Sequence, residues 1–291
     1  MERNAVEKSG VSNLTFSQTA ILLNCGLVSG LAQAAVFNPW DRALYLSVIN
    51  NRNFLNRENF RSPMSGVLQT IAQRTISSGL YFPLEDISVQ FLQSLNTNIS
   101  KSFLMFLAGL LAGSANGIIV NPLASVKYQY WGKIECGNEN FWSTSAKMFK
   151  TGGFRVFFVG SMATLQRDLI FGGTFAYIRH ELFNQSKKDK SGFSTNLIAG
   201  SIATILSSPY NYVRNIHYAT PPEQKPMTSS EVLYKLFITD ISTLELSTKE
   251  KLVYLQRRLR IGWGTARVGC GMAFGSMVYN FCLKCANALQ N

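Results

Sequence analysis

Residues 39–44 read Pro-Trp-Asp-Arg-Ala-Leu, and the pattern recurs in altered form at two later places. The other copies are Pro-Leu-Ala-Ser-Val-Lys at 122–127 and Pro-Tyr-Asn-Tyr-Val-Arg at 209–214. A glycine stands nine positions before each proline, and these glycines are 83 and 87 residues apart: Gly30, Gly113 and Gly200. A single proline within an apolar helix would indicate a local kink. Three at nearly constant spacing indicate an internal repeat, which decides the architecture before any single residue does.

The composition favours a membrane protein. Hydrophobic residues make up 46% of the 291-residue chain and charged residues only 15%, against roughly 25% charged in a typical soluble domain. The net charge of +12 comes from basic residues spread through the connectors. This distribution favours attraction to an anionic lipid surface over a nucleic-acid partner, because no basic stripe or aromatic-basic motif is present.

The apolar stretches predict six long helices in three pairs, each long enough for the roughly 20 residues that a membrane span requires. Their predicted bounds are 17–47 and 77–96, 102–131 and 161–184, and 193–218 and 262–287. A polar connector with its own short amphipathic segment separates the helices of each pair. These segments are predicted at 63–75, 139–150 and 229–258.

The repeat resembles the mitochondrial carrier family. The proline motifs carry the resemblance, together with Gly-Phe-Arg at 153–155 and the following Gly160, Arg167 and Asp168. It implies an all-α membrane protein: six transmembrane helices in three pseudo-threefold repeats, with short amphipathic helices in the connectors. The implied repeats are 17–100, 101–190 and 191–291 after an N-terminal tail of 1–16. The implied location is the mitochondrial inner membrane, with both termini on the same side.

The resemblance also implies a gate on the matrix side. Three helix kinks would close the cavity at one end, at Pro39, Pro122 and Pro209. The acidic residue of one motif would pair with the basic residue of the next, which gives Asp41 with Lys127, and Gln129 would brace that pair. Arg214 belongs to the same gate but lacks its acid, because position 124 is alanine. The alternative is that Asp41 and Lys127 are unrelated interfacial charges.

Substrate contacts in the resembled family come from three equivalent positions midway along the even-numbered helices. They correspond here to Leu80, to Arg167 with Asp168, and to Arg267. An arginine beside an acid suits a substrate that has both a carboxylate and an ammonium group. Arg167 and Asp168 could instead neutralise each other, and Arg267 could extend to the membrane interface.

The roles of two further groups of residues remain open. Glu85 and Asp86 could attract a cationic substrate, balance nearby arginines or lie exposed at a helix end. Cys282 and Cys285 form the only Cys-x-x-Cys motif and are interpreted as packing thiols, since no second Cys/His pair accompanies them. The sequence predicts no metal site, no cofactor and no enzymatic activity.

The sequence therefore predicts transport of a small carboxylate-bearing metabolite, an amino acid or related zwitterion by preference, by alternating access. The predicted partners are the substrate and membrane lipid, with cardiolipin as a candidate at the connectors, and the chain is expected to be monomeric. The alternative is a carrier-like protein without transport activity that acts as a membrane scaffold, adaptor or insertase-like subunit. A soluble helical repeat protein is a third, weaker alternative.

Overall fold

The computed structural model describes residues 16–95, 101–132, 140–185, 193–243 and 247–290. Within these ranges the regular structure is helical. The α-helices are numbered in chain order: α1 Phe16–Ile49, α2 Val67–Ser94, α3 Lys101–Gly132, α4 Phe141–Gly152, α5 Ser161–Gln185, α6 Phe193–Ala219, α7 Ser229–Tyr234, α8 Asp240–Thr243, α9 Thr248–Arg258 and α10 Trp263–Gln290. Short 3₁₀ segments lie at Arg57–Phe60 and Gly153–Phe158, and a π-helical turn at Lys235–Thr239 joins α7 to α8.

Five of the six long predicted helices begin and end within about three residues of their predicted bounds: α1, α3, α5, α6 and α10. The predicted connector helices at 139–150 and 229–258 correspond to α4 and to α7 through α9. The predicted tail of 1–16 lies outside the described residues, apart from Phe16.

The second helix differs from the prediction. The segment 63–75 is not a separate amphipathic helix, because α2 runs unbroken from Val67 to Ser94. Gly66, with a φ of 75°, precedes the helix, and Thr70 donates a hydrogen bond to its carbonyl oxygen. No proline interrupts the chain between Val67 and Pro83, so nothing prevents the two predicted segments from joining. As a result, Gln73 and Arg74 belong to a long helix.

The prolines of the three repeated motifs lie inside helices: Pro39 in α1, Pro122 in α3 and Pro209 in α6. A proline inside a helix removes one amide donor and bends the axis.

The residue before the proline makes an equivalent contact in α1 and α3. Asn38 donates from Nδ2 to the carbonyls of Pro63 and Ser65, at 3.1 and 3.2 Å, in the chain that leads into α2. Asn121 donates to the carbonyls of Phe157 and Val159, at 2.8 and 3.3 Å, just before α5. Each buried amide therefore fixes the connector that follows its own helix.

Polar side chains are buried and large apolar side chains are exposed on several helices. The buried polar residues include Ser29, Asn38, Asn116, Asn121 and Ser207, whereas Val36, Ile119 and Leu206 are exposed on α1, α3 and α6. Exposed apolar surface of this kind marks a surface that another apolar phase covers. By length and composition, one helix of the described residues, Phe106–Gly132, is apolar enough to cross a membrane.

Candidate functional site

Charged side chains from all six long helices of the described chain meet around a central cavity of about 360 Å³. Each helix contributes one of them: Asp41 from α1, Arg74 from α2, Lys127 from α3, Arg167 from α5, Arg214 from α6 and Arg267 from α10. Arg260 joins them from the turn between α9 and α10. Among the described residues, the cavity is therefore lined by six cationic side chains and a single carboxylate, Asp41.

Asp41 pairs with Arg267, so the predicted pair between Asp41 and Lys127 is not formed. The Arg267 guanidinium donates from Nη2 to Asp41 Oδ2 and also lies over the Phe37 ring, 4.9 Å from its centroid. Phe37 and Asp41 are one turn apart on α1 and face the same way. The prediction was wrong here because it matched charges along the repeat, whereas α10 packs directly against α1 and brings Arg267 to the carboxylate.

Lys127 is buried and has an amide as its polar partner. Its Nζ donates to Gln73 Oε1 at 2.8 Å and lies 4.9 Å from the ring centroids of both Tyr128 and Trp131. Gln73 is within reach because α2 begins at Val67, ten residues earlier than predicted. The cation thus rests on aromatic faces, an attraction that gains strength where water is excluded.

Gln129 does not brace an ion pair. Its Nε2 donates to the carbonyls of Tyr218 and Thr220, at 2.7 Å each. These carbonyls lie at the C-terminal end of α6, which ends at Ala219. Gln129 therefore satisfies carbonyls that a helix end leaves without intrahelical partners and ties α3 to α6.

Arg214 lies over two stacked tyrosine rings and has no carboxylate partner among the described residues. Its Nη2 donates to Asn211 Oδ1 at 2.8 Å, one turn back on α6. Its guanidinium carbon is 5.7 Å from the ring centroid of Tyr128 and 5.9 Å from that of Tyr218. The two rings stack with centroids 4.8 Å apart and an angle of 10° between their planes. Aromatic faces therefore surround this cation where the repeat lacks an acid.

Arg167 and Asp168 form an ion pair with each other, which is the mutual neutralisation left open by the sequence. Arg167 lines the cavity, and Asp168 lies against Gly117 of α3. A Cβ atom on Gly117 would lie 3.2 Å from Asp168 Oδ2, so the glycine leaves room for this carboxylate.

Leu80 is half-buried and is not among the residues that line the cavity. The α2 helix instead provides Gln73, Arg74 and Ser77. The sequence indicates that Gln73 and Ser77 lie on the same face of α2, because they are four residues, about one helical turn, apart. The prediction missed it because it placed Arg74 in a separate connector helix.

The prediction from the sequence did not include Arg260 as a site residue. It follows α9 with a φ of 60°, which is unusual for a residue other than glycine. Its Nε and Nη2 atoms are buried and have no hydrogen-bond partner in the described structure. Burial lowers the pKa of Arg260, and the nearby Arg214 cation contributes to the same shift. This guanidinium is therefore held in the cavity at an electrostatic cost.

The remaining candidates lie away from this cavity. Asp86 is exposed, and the side chain of Glu85 lies outside the described residues. Cys282 and Cys285 are free thiols. No cluster of His, Cys, Asp and Glu suited to a metal ion occurs in the described part of the chain.

A second cavity of about 350 Å³ lies between α1 and α10. It is lined by Ser29 and Gln33 of α1 and by Ser276 and Tyr279 of α10. Arg74 and Ser77 line both spaces, so the two cavities adjoin each other.

The described residues thus combine outward apolar side chains with a charged central cavity. Residues 100–184 match the sequence model of mitochondrial carrier proteins. The human mitochondrial glycine transporter is 23% identical over 221 residues, which cover 65% of this chain and 69% of that protein. Mitochondrial glycine transporter A of Danio rerio is 26% identical over 176 residues, covering 57% of this chain and 53% of that protein.

The chain thus resembles mitochondrial carrier proteins, over residues 100–184 for the family model and at 23–26% identity for these two relatives. A further similar protein, the mitochondrial glycine transporter of Mycosarcoma maydis, is 24% identical over 168 residues, covering 52% of this chain and 42% of that protein. The matched segments thus span between about two fifths and two thirds of these three relatives.

Proposed function

We propose that this chain transports a small carboxylate-bearing metabolite across the mitochondrial inner membrane by alternating access, with amino acids and related zwitterions as first candidates. The observation that carries the proposal is the central cavity lined by charged residues from all six long helices. Ionisable groups are expensive inside a membrane and usually face a cavity, a partner or a substrate path. The names of the similar glycine transporters support a substrate of amino-acid type.

In this proposal the six long helices are six membrane spans in three repeats, 17–100, 101–190 and 191–291. An even number of spans places both chain ends on the same side. Ser29 and Tyr279, which line the second cavity, lie in the halves of α1 and α10 that are nearer the chain ends. In this proposal the cavity opens toward the side of the termini and is closed at the opposite end, where α1, α3 and α6 end.

Substrate binding uses the two ion pairs of the cavity. Arg167 would bind a substrate carboxylate through two parallel hydrogen bonds, and Asp168 would accept from an ammonium group. Arg267 and Asp41 offer a second pair of the same kind. On α2, Arg74 and Ser77 take the place that the sequence assigned to Leu80.

The gate of the proposal lies at the closed end and consists of Asp41, Lys127, Gln129 and Arg214. Its contacts are aromatic and amide contacts more than ion pairs, since Lys127 and Arg214 rest on tyrosine rings. The bends at Pro39, Pro122 and Pro209 would let the three helix ends part when the cavity opens to the other side.

Uptake into liposomes tests the proposal. Purified protein should accumulate a labelled amino acid or organic acid above protein-free vesicles. Arg167→Gln should reduce the initial rate by roughly 100-fold or more, because misplacing a bound carboxylate removes charge-assisted hydrogen bonds of about 1.5–3 kcal/mol each. Arg57→Gln is the matched control, since Arg57 is exposed on a 3₁₀ segment outside the cavity. No flux of any amino acid, organic acid or nucleotide would contradict transport and favour the scaffold alternative.

A further inference from the structure

We propose that the transported substrate carries two or more net negative charges, and that these bind a basic floor formed by Lys127, Arg214 and Arg260. The chemistry is that of a di- or tricarboxylate or of a phosphate ester. The inference rests on the transport function proposed above, but within its class of carboxylate-bearing substrates it favours polyanions over the zwitterions named first there.

The first step is the charge balance of the cavity. Of its six cationic side chains, Arg167 and Arg267 have carboxylate partners, in Asp168 and Asp41. The other four have no carboxylate within ion-pair distance among the described residues: Arg74, Lys127, Arg214 and Arg260. A cavity lined by charges of one sign attracts ions of the opposite sign, so these four cations favour an anionic ligand.

The second step is the convergence of three of these cations. Lys127 and Arg214 approach the ring of Tyr128, at 4.9 and 5.7 Å from its centroid. Arg260 lines the same cavity, and its buried Nε and Nη2 atoms have no acceptor among the described residues. All three cations thus line one cavity, as binding a group with several anionic oxygens requires.

The third step concerns the acidic residues that are missing from two of the three proline motifs. The third residue of the proline motif is an acid in the first copy, Asp41, but Ala124 in the second and Asn211 in the third. Asn211 lines the cavity and accepts a hydrogen bond from Arg214 without neutralising it. The anionic groups of the substrate would therefore supply the charges that Ala124 and Asn211 do not.

A zwitterion does not fit this balance. Glycine has no net charge, so its binding would leave the excess of four cations unchanged. A cavity of about 360 Å³ lies at the lower end of the roughly 300–1,000 Å³ range of small-molecule sites, which is compatible with a compact polyanion. The substrate class inferred here thus differs from the one that the names of the similar transporters suggest.

Thermal unfolding of the purified full-length protein at constant ionic strength tests the inference, because a ligand of the folded state raises its apparent stability. The probes are citrate, succinate and glycerol 3-phosphate, with acetate and glycine as singly charged and neutral comparisons. We expect citrate or glycerol 3-phosphate to stabilise the protein at concentrations at least about tenfold below those of acetate and glycine. The order of citrate and glycerol 3-phosphate distinguishes carboxylate from phosphate ester.

Two variants distinguish citrate binding at the basic floor from a general stabilisation by salt. Asn211→Asp restores an acid beside Arg214, and Arg260→Gln removes one cation. Each should weaken citrate binding by about tenfold, the loss of one charge-assisted interaction. Asn140→Asp is the matched control, because Asn140 is an exposed helix cap outside the cavity. Stabilisation by citrate that persists unchanged in both cavity variants would be general salting-out and would overturn the proposal.

The inference and the transport function can fail separately. Glycine uptake into liposomes without any effect of citrate or glycerol 3-phosphate would overturn the basic floor and leave transport standing. Citrate binding that depends on Arg260 and Asn211, without flux of any solute, would support the floor and contradict transport.

Discussion

Replacing Asn121 with alanine is expected to lower the free energy of unfolding by roughly 3–4 kcal/mol. The Asn121 side chain is almost completely buried, and it donates to the carbonyls of Phe157 and Val159. Its Oδ1 accepts a 2.6 Å hydrogen bond from the Tyr218 hydroxyl. Truncation leaves two carbonyls and a hydroxyl without this partner, and each buried group left unsatisfied costs about 1–3 kcal/mol. The partners belong to the segment before α5 and to α6, so the loss should loosen three helices at once.

Thermal unfolding in detergent measures this effect. Asn140→Ala is the matched control, because Asn140 is an exposed cap whose Oδ1 accepts one hydrogen bond, from the Ser143 backbone amide at 2.8 Å. Loss of such a cap costs about 1 kcal/mol. Equal losses of stability in the two variants would contradict the role of Asn121 as a buried junction.

Replacing Asp41 with asparagine should destabilise the protein by about 2–3 kcal/mol, because it leaves the Arg267 guanidinium without its carboxylate. The Arg267 side chain is only 9% exposed, whereas Asp41 is 28% exposed and faces the cavity. This partial hydration is why the expected cost lies below the roughly 3–5 kcal/mol for breaking a fully buried pair.

A double-mutant cycle separates the pair from its surroundings. Asp41→Asn and Arg267→Gln together should cost less than the sum of the single changes, with a coupling of about 1.5 kcal/mol or more. The cycle of Asp41→Asn with Lys127→Gln should give a clearly smaller coupling, because Lys127 donates to Gln73 instead. A larger coupling of Asp41 to Lys127 than to Arg267 would restore the pairing predicted from the repeat.

The helices were predictable because their signals are local. Apolar runs of suitable length, with Gly and Pro at fixed offsets, gave the bounds of α1, α3, α5, α6 and α10 closely. The start of α2 was missed because amphipathic periodicity in 63–75 does not show whether a helix continues into the next apolar run. Residues 75–79, Thr-Ile-Ser-Ser-Gly, are weak helix formers, and tertiary contacts such as that of Thr70 with Asn38 override this preference.

The sequence predicted some of the residues that line the cavity but not their pairs. Asp41, Lys127, Arg167, Arg214 and Arg267 line it, whereas the predicted Leu80, Asp168 and Gln129 are not among its lining residues. Which cation meets Asp41 depends on how α10 rotates against α1, and charge matching along a repeat has no information on that rotation. Arg260 was missed for a different reason, since it lies in an irregular turn that no periodic pattern describes.

Cysteine accessibility tests the central claim most directly, namely that the helix pairs enclose a water-filled cavity within the membrane. In a background with all five native cysteines replaced by serine, Ser77→Cys and Thr204→Cys place thiols on the cavity wall, from α2 and α6. Ile119→Cys places one on the exposed apolar face of α3. A charged, membrane-impermeant thiol reagent needs water and a thiolate to react. In liposomes, both cavity thiols should react much faster than the thiol at position 119, and citrate should slow the reaction of the cavity thiols. Cavity thiols that react no faster than the thiol at position 119 would contradict the account.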